Sequence, residues 1–169
     1  LVYDCNRPPE APSAMPERSE AFDVKGNANL SAADRAARTQ GVYHPFREAL
    51  TDTLDQKQAA VLVTVHSFTP VYLGKPRAVE IGILHGDALL VAQPSGVPFK
   101  IERNQPYGPE DGVTHTLNLH GMARGILNVM LEVRNDLIAD PDTQRVMGEL
   151  LAAWIASALA SLRISEAPA

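Results

Sequence analysis

The sequence predicts an α/β fold built on a mixed, mostly parallel sheet flanked by helices. Two observations carry this: short β-branched apolar runs of strand length, and helix-patterned stretches lying between and after them. A third is the last stretch, where apolar residues recur every fourth position, as in a helix that covers a sheet. The 169 residues suit one compact domain.

The chain opens on a strand-like Leu1-Val2-Tyr3. Pro8 to Asn29 holds Pro8, Pro9, Pro12 and Pro16 together with Lys25-Gly26-Asn27, and reads as a long irregular loop. Ser31 followed three residues on by Asp34 is a capping-box pattern. It starts a helical stretch that reaches about Lys57, in two pieces broken near Gly41 to Pro45. Val61 to Val65 is short and apolar, which suits a strand buried on both faces, with His66 at its carboxyl end. Val79 to Leu84 reads as a second strand, Pro98 to Glu102 as a weaker one and Ile126 to Val133 as a strong one. Asp140-Pro141 then places a cap and a first-turn proline before a helix. Its apolar stripe runs Val146, Leu150, Trp154, Ala158 and Leu162, beside Met147, Leu151, Ile155 and Leu159.

Composition excludes several function classes. With 45% hydrophobic and 21% charged residues the chain is neither disordered nor fibrous. A net charge of -5 argues against a nucleic-acid surface. One cysteine, Cys5, excludes an intrachain disulfide framework and any multi-cysteine metal site, and suits a reducing, cytoplasmic compartment. The longest nearly unbroken apolar run, Leu150 to Leu162, falls short of the roughly 20 residues that span a membrane. Serine-hydrolase elbows, phosphate loops, H-E-x-x-H and dinucleotide fingerprints are all absent.

Candidate site residues follow from the rule that ligands of open α/β sheets bind beyond the carboxyl ends of strands. His66 ends an apolar strand and precedes the turn-forming Ser67-Phe68-Thr69-Pro70, so its imidazole is placed either as a metal ligand or as a ring satisfied by loop carbonyls. Glu132 and Arg134 emerge on the same side of the strong strand, as a cleft pair or a structural ion pair. Asn6 and Arg7 follow the first segment, and an Arg fork beside an amide suits a carboxylate; the alternative is a plain loop before two prolines. His115 and His120 are five residues apart, about 140° around a helix, and would not share a metal from one face. Cys5 reads as a small buried hydrophobe rather than a nucleophile.

Four separated motifs carry a resemblance: LVYDCNRPP at Leu1 to Pro9, HSFTPVY at His66 to Tyr72, HTLNLHG at His115 to Gly121, and NVMLEVRNDLI at Asn128 to Ile138. In this order they resemble the N-formylglutamate amidohydrolase family. The resemblance implies a zinc-carboxypeptidase-like (phosphorylase/hydrolase-like) fold, related also to the aspartoacylase group, and a zinc-dependent amidohydrolase that releases formate and L-glutamate from N-formyl-L-glutamate in histidine degradation. It implies that His66 is a zinc ligand, that Glu132 is the catalytic carboxylate, and that Asn6 and Arg7 grip the carboxylate of a small acidic N-acyl amino acid. Arg134 would hold Glu132 or neutralise an oxyanion, and His120 and Arg124 would be pocket residues.

By the same resemblance, residues 1–169 form a single catalytic domain that lacks an N-terminal segment bearing the other zinc ligands, and Gly86 to Ser95 is shorter than the family's connection. The alternatives are a deacylase or carboxypeptidase-like hydrolase of another N-acyl amino acid, and a metal-free carboxylate-binding module. Neither nucleic acid nor membrane is an expected partner.

Overall fold

The structure is a computed structural model that describes residues 2–57, 61–84 and 96–165, with side chains up to residue 161. Its elements in chain order are β1 (Arg18–Ser19), β2 (Phe22–Asp23), α1 (Ala32–Arg38), α2 (His44–Gln56), β3 (Leu62–Phe68), β4 (Val71–Tyr72), β5 (Lys75–Pro76), β6 (Ile81–Leu84), β7 (Ile101–Arg103), β8 (Asn128–Arg134) and α3 (Pro141–Ser165). The strands β3, β8, β6 and β7 lie side by side in that order. β3 with β8 and β6 with β7 are parallel, while β6 with β8 is antiparallel. The sheet is therefore mixed, as the sequence predicts. β1 with β2 and β4 with β5 form two separate small hairpins.

Alternation along β8 divides the core. Val129, Leu131 and Val133 join Ile81 and Ile83 of β6 against Met147, Leu151, Trp154 and Ala158 of α3. Met130, on the other face, packs with Leu62, Leu84, Val113 and Leu117. Successive residues of a strand point to opposite faces, so one strand serves both clusters. A third cluster, Tyr3, Ala14, Met15 and Tyr43, fixes the N-terminal segment to the helical region. The Asp140 carboxylate caps α3 by accepting from the backbone N–H groups of Asp142 and Thr143, each at 3.0 Å.

Several expectations are corrected. Val2 and Tyr3 form no strand; Tyr3 is instead buried against Tyr43, with ring centroids 5.7 Å apart. The segment from Pro8 to Asn29 is not simply irregular: it contains the β1–β2 hairpin and buries Ala14, Met15 and Asn27. The helical stretch is not broken at Gly41 to Pro45. A π-helical turn, Thr39–Tyr43, joins α1 to α2, and His44 donates its backbone N–H to the Thr39 carbonyl. Pro45, which has no N–H to give, follows this turn in the first turn of α2, where a proline is tolerated. β3 is not buried on both faces, because it ends the strand order; Val65 is 58% exposed. The helix stripe holds except at its first member: Met147, Leu151, Trp154 and Ala158 form the buried seam, with Leu150, Ile155 and Leu159 packed against it, while Val146 is exposed. Gly86 to Ser95 lies outside the described residues.

Candidate active site

The candidate site forms on the sheet face opposite α3. β3 and β8 run parallel in register, and His66 pairs with Glu132. Both side chains therefore emerge on one face from neighbouring strands. On the far side of β8, Glu132 pairs with Gly82 of β6. A Cβ at Gly82 would stand 1.9 Å from the Gln105 carbonyl oxygen and 3.3 Å from the Glu132 Cβ. Only glycine lets the Gln105 backbone lie this close to the sheet.

Glu132 is 4% exposed, and its Oε2 has no hydrogen-bond partner. Burial pushes its carboxyl up to about 7, against the opposing pull of the Arg77 and Arg7 guanidinium charges. Such a carboxyl changes protonation near neutrality, where a group that takes and returns protons is most useful. His66 is half-buried, and burial lowers its pKa, which keeps the imidazole neutral at pH 7; the Asp4 charge acts in the opposite direction and Arg7 in the same one.

The segment after Tyr3 reaches this face by hydrogen bonding. Asn6 donates its side-chain N–H to the Val113 carbonyl and accepts from the Thr116 backbone N–H at 2.9 Å. Its amide thus clamps two chain segments more than 100 residues apart. Arg7 donates to the Asp111 carbonyl at 2.8 Å and pairs with Asp4 at 3.4 Å. Arg7 also lines a cleft of about 460 Å³ together with Tyr72, Lys75, Arg77, Gln105 and Tyr107. That volume suits a small substrate.

Of the two readings of Arg134, the structure shows the ion pair. Its guanidinium makes two bonds to Asp136, at 2.8 and 3.1 Å, one to Glu80 at 3.2 Å and one to the Arg77 carbonyl at 3.3 Å. These acceptors lie at the end of β8 and beside β6, so Arg134 braces the Arg77 backbone rather than pairing with Glu132. Arg124 is exposed and ion-pairs with Asp55 of α2; it does not line the cleft. His120 is 3% exposed, and burial first, then the nearby Arg124, Arg47 and His115 charges, lowers its pKa. His115 instead meets the Tyr43 hydroxyl at 2.8 Å. Cys5 packs beside the Tyr3 cluster, and burial pushes its thiol up.

The chemistry of the donor set can be tested against the zinc that the resemblance implies. His66 is a suitable single ligand, but a catalytic zinc takes three protein ligands. Among the described residues no group of three or more His, Cys, Asp or Glu side chains is placed to hold a metal ion. The described residues do not by themselves fit that ion.

Sequence reasoning does not single out Arg77, Tyr72, Lys75, Gln105 or Tyr107. The available signal was the basic pair Lys75 and Arg77 closing the β4–β5 hairpin that follows His66. Gln105 and Tyr107 come from a loop whose position no spacing rule reveals.

A mixed sheet that sets a buried carboxyl beside a neutral imidazole, with the Arg77 and Arg7 charges acting on that carboxyl, defines an α/β protein with a candidate acid–base site, and comparison with known proteins sharpens this. The structure is similar to that of a gene product of Agrobacterium tumefaciens, with a TM-score of 0.88 and 49% sequence identity over 96% of this chain and 68% of that chain. No curated protein matches the sequence. The sequence model of the N-formylglutamate amidohydrolase family matches residues 1–139, and the chain belongs to that family. This match spans all the motifs that carry the resemblance. Among the described residues no helix is long and apolar enough to cross a membrane.

Proposed function

We propose that the protein hydrolyses the amide of N-formyl-L-glutamate to formate and L-glutamate, with Glu132 as the proton-transferring carboxylate. The observation that carries this is a buried carboxyl poised at about 7, with an unpartnered oxygen, in a chain of this family.

In the proposed reaction Glu132, ionised, accepts a proton from the attacking water as its oxygen bonds to the formyl carbon. The C–N bond then breaks and the same proton passes to the departing nitrogen, giving the amine and formic acid, whose own proton moves on to the amine to leave formate and the ammonium form. Arg7 meets the substrate α-carboxylate, and its ties to Asp4 and Asp111 hold the guanidinium in place for that contact. Asn6 positions Arg7 by clamping the segment that carries it. Arg134 enters as a positioning residue for Arg77, and no role in the reaction is assigned to the buried His120. No role in the reaction is assigned to Arg124. A zinc-carboxypeptidase-like fold, cytoplasmic location and a place in histidine degradation belong to the same reading. Zinc enters it as a requirement to be tested, with His66 as one ligand.

The test is glutamate release from N-formylglutamate by the full-length protein, with and without a metal chelator. Turnover abolished by the chelator and restored by zinc is the expected result. Absence of turnover overturns the proposed substrate and redirects attention to other N-acyl amino acids or to carboxylate binding alone.

A further inference from the structure

One wall of the cleft is the β4–β5 hairpin, which supplies Tyr72, Lys75 and Pro76, with Arg77 directly after it. The root of this hairpin is fixed. Arg77 donates its backbone N–H to the Pro70 carbonyl at 2.8 Å and its guanidinium to the Thr69 carbonyl at 3.3 Å, and the guanidinium lies over the Tyr72 ring at 4.5 Å. The tip is not held by packing, since Leu73 is 67% exposed. A two-residue loop, Leu73-Gly74, joins the paired Tyr72 and Lys75, and both loop residues have left-handed φ, 48° and 75°. Asn-Gly suits such a turn; a leucine there is strained.

A second hairpin meets this tip. In β1–β2 the paired Ser19 and Phe22 are joined by Glu20-Ala21, and Glu20 also has a positive φ, 58°. Its carbonyl accepts from the Arg18 guanidinium at 3.0 Å, and Arg18 pairs with Asp23 at 3.1 Å. Below this hairpin the buried Asn27 donates to the Pro16 carbonyl at 2.9 Å, next to the buried Met15. From that fixed base the Glu20 carboxylate accepts the Leu73 backbone N–H at 3.0 Å, across 53 residues of chain. The strained residue at one tip is thus bonded to the strained residue at the other. Backbone strain persists where the surroundings hold it, and it gathers at ligand clamps.

We propose that Glu20 is a positioning residue for the cleft: its carboxylate latches the tip of β4–β5 and fixes where Tyr72 and Lys75 stand against a ligand. The inference rests on the functional reading above in taking this cleft as the substrate site. A carboxylate on a backbone N–H makes a charge-assisted bond, strong enough to shift a latched equilibrium several-fold. Without it the hairpin swings on its Arg77 root, and only a fraction of its positions present Tyr72 and Lys75 to the ligand. Affinity falls by that fraction. Glu20 touches no reacting atom, so its loss acts on binding and leaves the chemical step alone.

The experiment compares the wild type with Glu20→Ala, which removes the acceptor, and Glu20→Gln, which removes the charge but keeps an oxygen that can accept the bond. Residue 20 lies outside the three apolar clusters, so the fold stands without its carboxylate. Two quantities are read: hydrogen exchange of the Leu73 amide against that of Arg77, and kcat and KM for N-formylglutamate. Glu20→Ala should speed Leu73 exchange at least threefold, raise KM at least threefold and leave kcat within twofold. Glu20→Gln should stay within twofold of the wild type in all three. Unchanged Leu73 exchange or unchanged KM in Glu20→Ala overturns the proposal, as does a loss carried by kcat. A Glu20→Gln variant that behaves like Glu20→Ala overturns it too, because charge rather than the bond is then at work. If the wild type binds N-formylglutamate without hydrolysing it, the reaction assigned above fails, and calorimetric affinity for this amide replaces KM with the same thresholds. A wild type that does not bind the amide overturns the claim on the cleft, whatever the exchange shows.

Discussion

His66 and Glu132 face one another in register across the parallel strands β3 and β8, and Gly82 continues the row on β6. The carboxyl therefore has an imidazole-bearing strand on one side and a bare backbone on the other. Replacing Glu132 with Gln keeps the shape and removes the proton-transferring group. Glu132→Gln should lower kcat by about 100-fold or more with little change in fold, since positioned acid–base groups typically contribute 10²–10⁴-fold. Single-turnover formate release checks this, and wild-type rates in the variant would remove Glu132 from the reaction.

The pH dependence follows from the same carboxyl. Glu132 acts as a base when ionised, so kcat/KM should rise through about pH 7 and level off above it. Stability should move the other way. A carboxyl raised from 4.5 to about 7 binds its proton more tightly in the folded state, so its contribution is full below about 4.5 and is lost as pH rises through about 7. Relative to Glu132→Gln, the wild type should lose about 3 kcal/mol across that window. Denaturant midpoints of both proteins from pH 4 to 8 give the difference directly.

Gly82→Ala tests the contact between the sheet and the Gln105 loop. Its methyl group would meet the Gln105 carbonyl oxygen at 1.9 Å, a backbone atom that moves only with its loop. The expected outcome is a loss of about 1–3 kcal/mol, typical of overpacking. KM should rise as well, because Gln105 lines the cleft. Urea unfolding and steady-state kinetics measure the two effects.

Arg134→Ala should destabilise the fold by about 1–3 kcal/mol, since Asp136 and Glu80 lose a charged partner that is mostly shielded from water. Its bond to the Arg77 carbonyl predicts a second effect, weaker substrate binding at unchanged pH profile. A shift of the kcat/KM midpoint instead would show that Arg134 acts on Glu132.

Much of this arrangement was legible in the sequence because it depends on local pattern. The β-branched runs gave β3, β6 and β8, and Asp140-Pro141 gave the start of α3 to the residue. His66 and Glu132 were each readable at a strand, but that β3 and β8 pair and set them side by side was not. What escaped depends on contacts distant in the chain. Arg134 was readable as facing Glu132's side, but besides its neighbour Asp136 it binds Glu80, 54 residues away, and the Arg77 carbonyl, 57 away. The Tyr43–His115 contact spans 72 residues, and the Arg77–Tyr107 contact spans 30. The π turn at Thr39–Tyr43 was hidden because Gly41 and Pro45 carry the same local signals as a helix break.

β8 assigns its work by parity: residues 129, 131 and 133 belong to the α3 core, and 130 and 132 to the opposite face. Sliding this strand by a single position would bury the Glu132 carboxylate under Trp154 and send three apolar side chains into the cleft's neighbourhood. Chemistry and folding thus share one ruler, and the lengths of the connections on either side of β8 are as constrained as the residues within it.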